Sequence, residues 1–236
     1  MNQMLDSTNV AMLQALAEHY AAAVTLEAAL VVQFDLAPEE DVWHVVLAEG
    51  QSPTVQAGPH ADARFVIVLS AETLARLYTG DLAPLTAAGR AHITDPAPLD
   101  FRLGAGVTLT PAVYAELIAF VQRFFNASEP RRILLGAEHA RVVHGGHAVV
   151  MFYDPGFRSA WYLLHQGERL NAPGDTNPYP QAFVFLSGEG RAKIGDHEIT
   201  VRANEAYHIP PHTEHIVWND REEPLTLLFM AWGAGA

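Results

Sequence analysis

Cysteine is absent from the 236 residues, which excludes disulfides, thiolate metal ligands and a cysteine nucleophile. Lysine occurs once, as Lys193, and the formal net charge is −13. Residues 1–126 hold five arginines against fourteen Asp and Glu, a net of −9, which leaves −4 for the remainder. A surface of that sign repels phosphate backbones and anionic headgroups, so the charge argues against nucleic-acid binding and electrostatic membrane docking. No run of about eighteen apolar residues occurs, so no membrane-inserted helix is expected. Residues 1–20, MNQMLDSTNVAMLQALAEHY, carry acids but no basic residue ahead of the apolar positions, unlike a secretory signal. These features point to a cytoplasmic protein, and the acidic composition suits a bacterial, GC-rich source. There is no Gly-x-Ser-x-Gly, and the glycines of GEGRAKIGD sit in a hairpin instead of between strand and helix. Neither a nucleophile elbow nor a phosphate loop is therefore expected.

What is present reads as globular. Hydrophobic residues make up 50% and charged ones 17%, over a length that suits one large or two ordinary domains. The two halves differ in periodicity. In the first, LDSTNVAMLQALAEHYAAAV places Met12, Leu13, Leu16 and Tyr20 at helical spacing, with Ser7 or Thr8 as N-cap. VVQFDLA (31–37) and VWHVVLAE (42–49) read as strands joined by the acidic turn PEED. SPTVQAG and ARFVIVLS (63–70) follow as strands, and Ser70 caps a helix, AETLARLYTG, that stops at Gly80. GRAHIT (89–94) reads as a last strand, and PAVYAELIAFVQRFFN (111–126) as a closing helix with Pro in its first turn. The expectation is an α+β domain with helices packed on one mixed sheet. His44, His60 and His92 read as surface or edge residues.

From about residue 130 the helical period disappears. HGGHAVVMFYD, SAWYLLHQ, QAFVFLSGEG, GRAKIGDHEITV, EAYHIPPHTEHIVW and LTLLFMAWG are short strands broken by Gly, Pro and Asp turns. That pattern predicts an all-β sandwich or barrel, rich in aromatics such as Tyr153, Trp161, Tyr162, Tyr179 and Trp218. The expected organisation is a first domain over 1–126, a linker over 127–131 and a barrel over 132–236.

The block ADARFVIVLSAETLARLYTGDLAPLTAAGRAHIT, with the VVQFDL and VWHVVLAEG hairpin before it, resembles the sterol carrier protein type two family. The resemblance covers residues 10–103 and implies a sheet and helices enclosing an apolar tunnel for a lipid or other hydrophobic molecule. Leu74, Leu77, Leu82 and Leu85 are its candidate lining, with Phe65 and Ile67, or Val66 and Val68, opposite. Simple mutual packing of these residues is the alternative.

Residues 167–232 resemble the cupins, jelly-roll barrels that hold a metal or small molecule in the mouth. Gly167 and Gly188-Glu-Gly190 match the first cupin motif; Pro210, His215 and Asn219 match the second. Asn204 and His212 stand where that second motif has glycines. The family's His-x-His slots fall instead on Asp175 and Asn177, or with one more residue on Gly174 and Thr176, and its Glu slot on Gln181, which leaves His215 as the retained ligand. A divalent Fe, Mn, Ni or Zn on His215, Gln181, Asp175 and Asn177 is what the resemblance implies, weakened by two neutral amides in place of strong donors. His208, His212, His144 and His147 are substitutes of less certain orientation. Phe183, Phe185, Gln181 and Asn219 are candidates to contact a small organic ligand.

Two readings follow. One is a binding protein for a small hydrophobic or organic ligand, without catalysis. The other is a metal-dependent cupin enzyme, an oxygenase or isomerase, working from His215. The cupin resemblance also implies a homodimer paired through exposed edge strands.

Overall fold

The computed structural model describes residues 2–38, 41–92, 94–125 and 132–236. The chain forms two compact units, Met1–Ala88 with Pro96–Leu134, and Gly89–Asp95 with Leu135–Ala236. The expected linker, 127–131, lies outside the described residues.

The first unit opens with α1 (Asn2–Ala23), which begins ahead of Ser7 and Thr8, so neither of them is the N-cap. Leu13, Leu16, Ala17 and Tyr20 are buried along one stripe of it, the i, i+3, i+4, i+7 pattern of a helix lying on a core. The sheet follows with β1 (Leu30–Leu36), β2 (Asp41–Leu47), β3 (Thr54–Ala57) and β4 (Phe65–Leu69). After α2 (Ala71–Thr79) and α3 (Pro84–Ala88) come β5 (Leu99–Leu103) and α4 (Pro111–Phe124). Strand order is β3-β2-β1-β4-β5; β1 and β4 run parallel and the other pairs antiparallel. Val32, Phe34 and Leu36 alternate with half-buried Val31, Gln33 and Asp35, so one face of the sheet meets the helices. On the other face Asp35 pairs with Arg102.

The caps of α2 are those the sequence predicts. Ser70 accepts from the Thr73 amide at 3.0 Å, and Gly80 closes α2 at φ 79°. Thr110 accepts from the Val113 amide at 3.2 Å, ahead of Pro111. GRAHIT is not a strand in its described residues. The fifth strand is LDFRL, whose Leu99, Phe101 and Leu103 alternate with Asp100 and Arg102. Residues 89–95 belong to the second unit, where Arg141 Nη1 donates to the Gly89 carbonyl at 2.5 Å and Ala91 packs on the core. The Gly89 carbonyl and Ala91 find their partners there, while His92 and Asp95 bond each other in a turn, which is why periodicity within GRAHIT misleads.

The second unit is the expected barrel. After a 3-10 turn (Ala137–His139), its strands are β6 (Arg141–Val143), β7 (Gly146–Asp154), β8 (Phe157–Leu164), β9 (Arg169–Leu170) and β10 (Gln181–Ser187). They continue as β11 (Glu189–Ile194), β12 (His197–Arg202), β13 (Ala206–Ile209), β14 (His215–Trp218) and β15 (Leu225–Trp232). Six strands form one sheet, β13-β10-β15-β8-β7-β6, and four the other, β12-β11-β14-β9. Phe183, Phe185, Ala160, Tyr162, Leu225 and Leu227 from the first sheet enclose a core with Ala192, Val201 and Val217 from the second. The glycines of the β10–β11 turn are required by space and dihedral angle. Gly188 has φ 80°, and a Cβ there would stand 2.4 Å from the Pro224 carbonyl oxygen. A Cβ on Gly190 would stand 2.8 Å from both Leu225 Cδ2 and the Trp218 carbonyl oxygen. The two substituted glycine slots keep a left-handed backbone, with Asn204 at φ 68° and His212 at φ 59°.

Candidate functional site

β10 enters the barrel at Gln181, and the pleat puts Gln181, Phe183 and Phe185 on the core face. Gln181 is 0% exposed. Its Oε1 accepts from Asn177 Nδ2 at a long 3.4 Å, while its Nε2 has no hydrogen-bond partner. Across the barrel His215, 2% exposed on β14, holds its ring 5.9 Å from that of Phe183. His215 Nδ1 lies 2.9 Å from the Thr213 carbonyl, which only accepts, so Nδ1 carries the proton and Nε2 the lone pair. Asn171 Nδ2 donates to the His215 carbonyl at 3.1 Å and holds the start of β14.

Of the four positions read as metal ligands, Asn177 thus contacts Gln181, and His215 lies against Phe183. Asp175 is used differently. It is exposed, and its Oδ2 accepts from the Ala172 amide at 2.8 Å while its own amide donates back to the Ala172 carbonyl. That carboxylate closes a turn. Among the described residues, no three His, Cys, Asp or Glu side chains gather as a metal site. One imidazole and two amides do not fit the transition metal that the cupin resemblance implies.

The remaining histidines are elsewhere. His208 pairs with Ala182, which places it on the outer face of the sheet, 5.8 Å from the Trp232 ring. His212 is exposed in its left-handed turn, where its amide donates to the Asn177 carbonyl at 2.7 Å. His147 Nε2 lies 3.3 Å from Glu168 Oε1 and edge-on to His165. His144 reaches solvent but is crowded by protein; desolvation holds its pKa below the usual histidine value, opposed by Asp175. In the first unit His44 is buried instead of lying at the surface, with Nδ1 2.8 Å from the Gly58 carbonyl and its ring against His60.

Asn219 has a structural task. Its Nδ2 donates to the Leu164 carbonyl (3.0 Å) and the Glu223 carbonyl (2.8 Å), and its Oδ1 accepts from the Arg221 amide (2.8 Å). All three bonds go to backbone, so the side chain locks a corner and both of its N–H donors are used. Phe185 stacks edge-on to Phe183 and Tyr207 deeper in the core. Leu74, Leu77 and Leu82 are buried in one cluster with Phe65 and Ile67, which decides the register: Val66 and Val68 face the other way.

Sequence reasoning overlooked Arg158. It shares a register row with Ala231 and Gln181, and its guanidinium lies 4.4 Å from the Tyr153 ring centre and 5.3 Å from that of Tyr179. A signal was available: in FRSAWYLL, Arg158 is in phase with Ala160, Tyr162 and Leu164, the residues that point inward.

Residues 149–231 match the family described as Cupin domain, and residues 10–93 match the SCP-2 sterol transfer family. A search of curated proteins found no match. Among solved structures, a Cupin 2 conserved barrel domain protein from Salinispora arenicola is 17% identical, with a TM-score of 0.40 over 44% of this chain and 89% of its own. The plu4264 protein from Photorhabdus luminescens is 15% identical, with a TM-score of 0.39 over 43% of this chain and 87% of its own. No described helix is long and apolar enough to cross a membrane. The chain carries two family domains in sequence, an SCP-2 sterol transfer domain matched over residues 10–93 and a cupin domain matched over residues 149–231.

Proposed function

We propose that this protein binds a small organic or lipid ligand and holds it without transforming it. One ligand position is the cupin barrel beside Gln181 and Phe183; an apolar tunnel lined by Leu74, Leu77 and Leu82 is the second. The observation that supports the reading is the Gln181 amide, fully buried with Nε2 unpartnered. Leaving a buried donor unpaired costs about 1–3 kcal/mol, a cost that a ligand acceptor in the barrel removes. Gln181→Leu is therefore expected to stabilise the ligand-free protein by about 1–2 kcal/mol in urea unfolding. The same variant is expected to lose any small molecule that native mass spectrometry finds on the purified wild type. A wild type that carries none, or a variant that retains it, counts against the barrel as the binding position. The proposal extends to a homodimer through the sheet edges β6 and β13 or β9 and β12, which sedimentation equilibrium tests.

One observation favours a metal-dependent cupin enzyme as a second reading. The Thr213 carbonyl pins His215 Nδ1 and directs the lone pair to Nε2, the support that metal-bound imidazoles receive. Elemental analysis of the purified protein and of His215→Ala separates the two readings. Stoichiometric metal that disappears in the variant would overturn the metal-free binding reading. Metal-free wild-type protein overturns the enzyme reading.

A further inference from the structure

Across the six-stranded sheet, one row of paired residues runs Ile209, Gln181, Ala231, Arg158. The next same-face row inward is Tyr207, Phe183, Phe229, Ala160, all packed in the barrel core. Side chains two residues apart on a strand share a face, so Arg158 and Gln181 both project to the core side. The strands run continuously in register through both rows, and the irregularity in β10 lies beyond them, between Phe185 and Ser187.

Arg158 is an unusual charge for this chain. The net charge is −13, and acidic side chains number 27. Even so, among the described residues no carboxylate pairs with Arg158. Its contacts are one bond from Nη2 to the Gly235 carbonyl at 3.1 Å and the faces of Tyr153 and Tyr179. Its Nε is buried and has no acceptor. Arg158 is half-buried, and the aromatic faces beside its guanidinium do not supply the in-plane acceptor that its buried Nε–H needs. Arg158 Nε and Gln181 Nε2 are both buried, unpartnered donors on either side of Ala231 in the row, and Ala231 itself packs with Tyr179 and Ala236. Two strand spacings put their Cα atoms about 10 Å apart, a span that the two side chains close around a pair of acceptor oxygens.

We propose that the barrel binds the carboxylate of a small organic anion, with Arg158 Nε donating to one oxygen, Gln181 Nε2 donating to the other, and the hydrocarbon part against Phe183 and Phe229. The inference rests on the binding reading above and adds the chemical class of the ligand. It assigns Arg158 a charge-assisted bond and Gln181 a neutral one, so charge should decide selectivity.

Calorimetric titration of the full chain with hexanoate, its neutral isostere hexanamide and inorganic phosphate tests it. Hexanoate is expected to bind, and hexanamide to bind at least about 10-fold more weakly. Arg158→Gln and Gln181→Leu are each expected to weaken hexanoate about 10- to 100-fold. If Arg158→Gln does not fold, Arg158→Lys carries the test, because it keeps the charge and removes the Nε donor; weakened binding is again the expected result. Equal affinity for hexanoate and hexanamide overturns the carboxylate inference while leaving the binding reading intact. Binding of phosphate without hexanoate overturns it in favour of an inorganic oxyanion. Absence of hexanoate binding, or affinity unchanged in both Gln181→Leu and the Arg158 variant, also overturns it. The native mass spectrometry described above judges the binding reading separately.

Discussion

Phe124→Ala is expected to cost the first unit about 3–5 kcal/mol, the range for truncating a fully buried phenylalanine. Phe124 is 0% exposed, and its ring centre lies 4.8 Å from Phe120, 5.2 Å from Phe125, 5.3 Å from Phe34 and 6.0 Å from Tyr20. Those neighbours sit on α1, β1 and at the end of α4, so one ring ties the sheet to two of its covering helices. Rings fixed in mutual contact relax only partly into the space that truncation leaves. Hydrogen exchange read by mass spectrometry is the appropriate measurement, because it resolves the two units. Protection is expected to fall across α1, β1 and α4 and to remain unchanged in β7, β8, β10 and β15. Unchanged protection of residues 30–36 would show that the aromatic cluster does not carry the first core.

Asn219→Ala is expected to destabilise the second unit by about 2–4 kcal/mol, from three lost backbone bonds and two carbonyls left without that donor. The residue is 1% exposed, so water cannot readily replace the amide. Urea unfolding followed by the fluorescence of Trp161, Trp218 and Trp232 reads this loss. The measurement also separates two roles that share a position in the cupin motif. A ligand-contacting Asn219 predicts weaker binding at unchanged stability. The corner-locking Asn219 seen here predicts the reverse: reduced stability, with hexanoate affinity unchanged below the transition.

Much of the fold was legible because its determinants are local. Ser70 and Gly80 bracket α2 through bonds that span three residues, and Pro111 stands in the first turn of α4. The strands of the second unit could be read from alternation and turn residues. The left-handed slots at Asn204 and His212 could be read from where a motif expects glycine. The site was legible only in part. Gln181 and Phe183 share the core face of β10, with Asn177 on the first and His215 against the second. Asp175 was misleading because its spacing toward the barrel is correct, yet its carboxylate is satisfied within three residues, in its own turn. GRAHIT was misleading for a related reason: it has the composition of a strand, but its partners, Arg141 and the second core, lie about fifty residues downstream.

From sequence alone came two domains of different periodicity, a chain without cysteine and with one lysine, and a barrel made of short strands between turn residues. All of these depend on residue identity and on spacings within one segment. The tertiary structure alone decided that Gln181 Nε2 and Arg158 Nε share a row without acceptors, that Asn219 serves the backbone, and that residues 89–95 join the second unit. Each of those depends on which strands become neighbours and in what register. Pairing β10 with β15 and β15 with β8 sets an amide and a guanidinium in one row although they are 23 residues apart in the chain. Whether a buried donor finds an acceptor is a property of that row, and no local pattern encodes it.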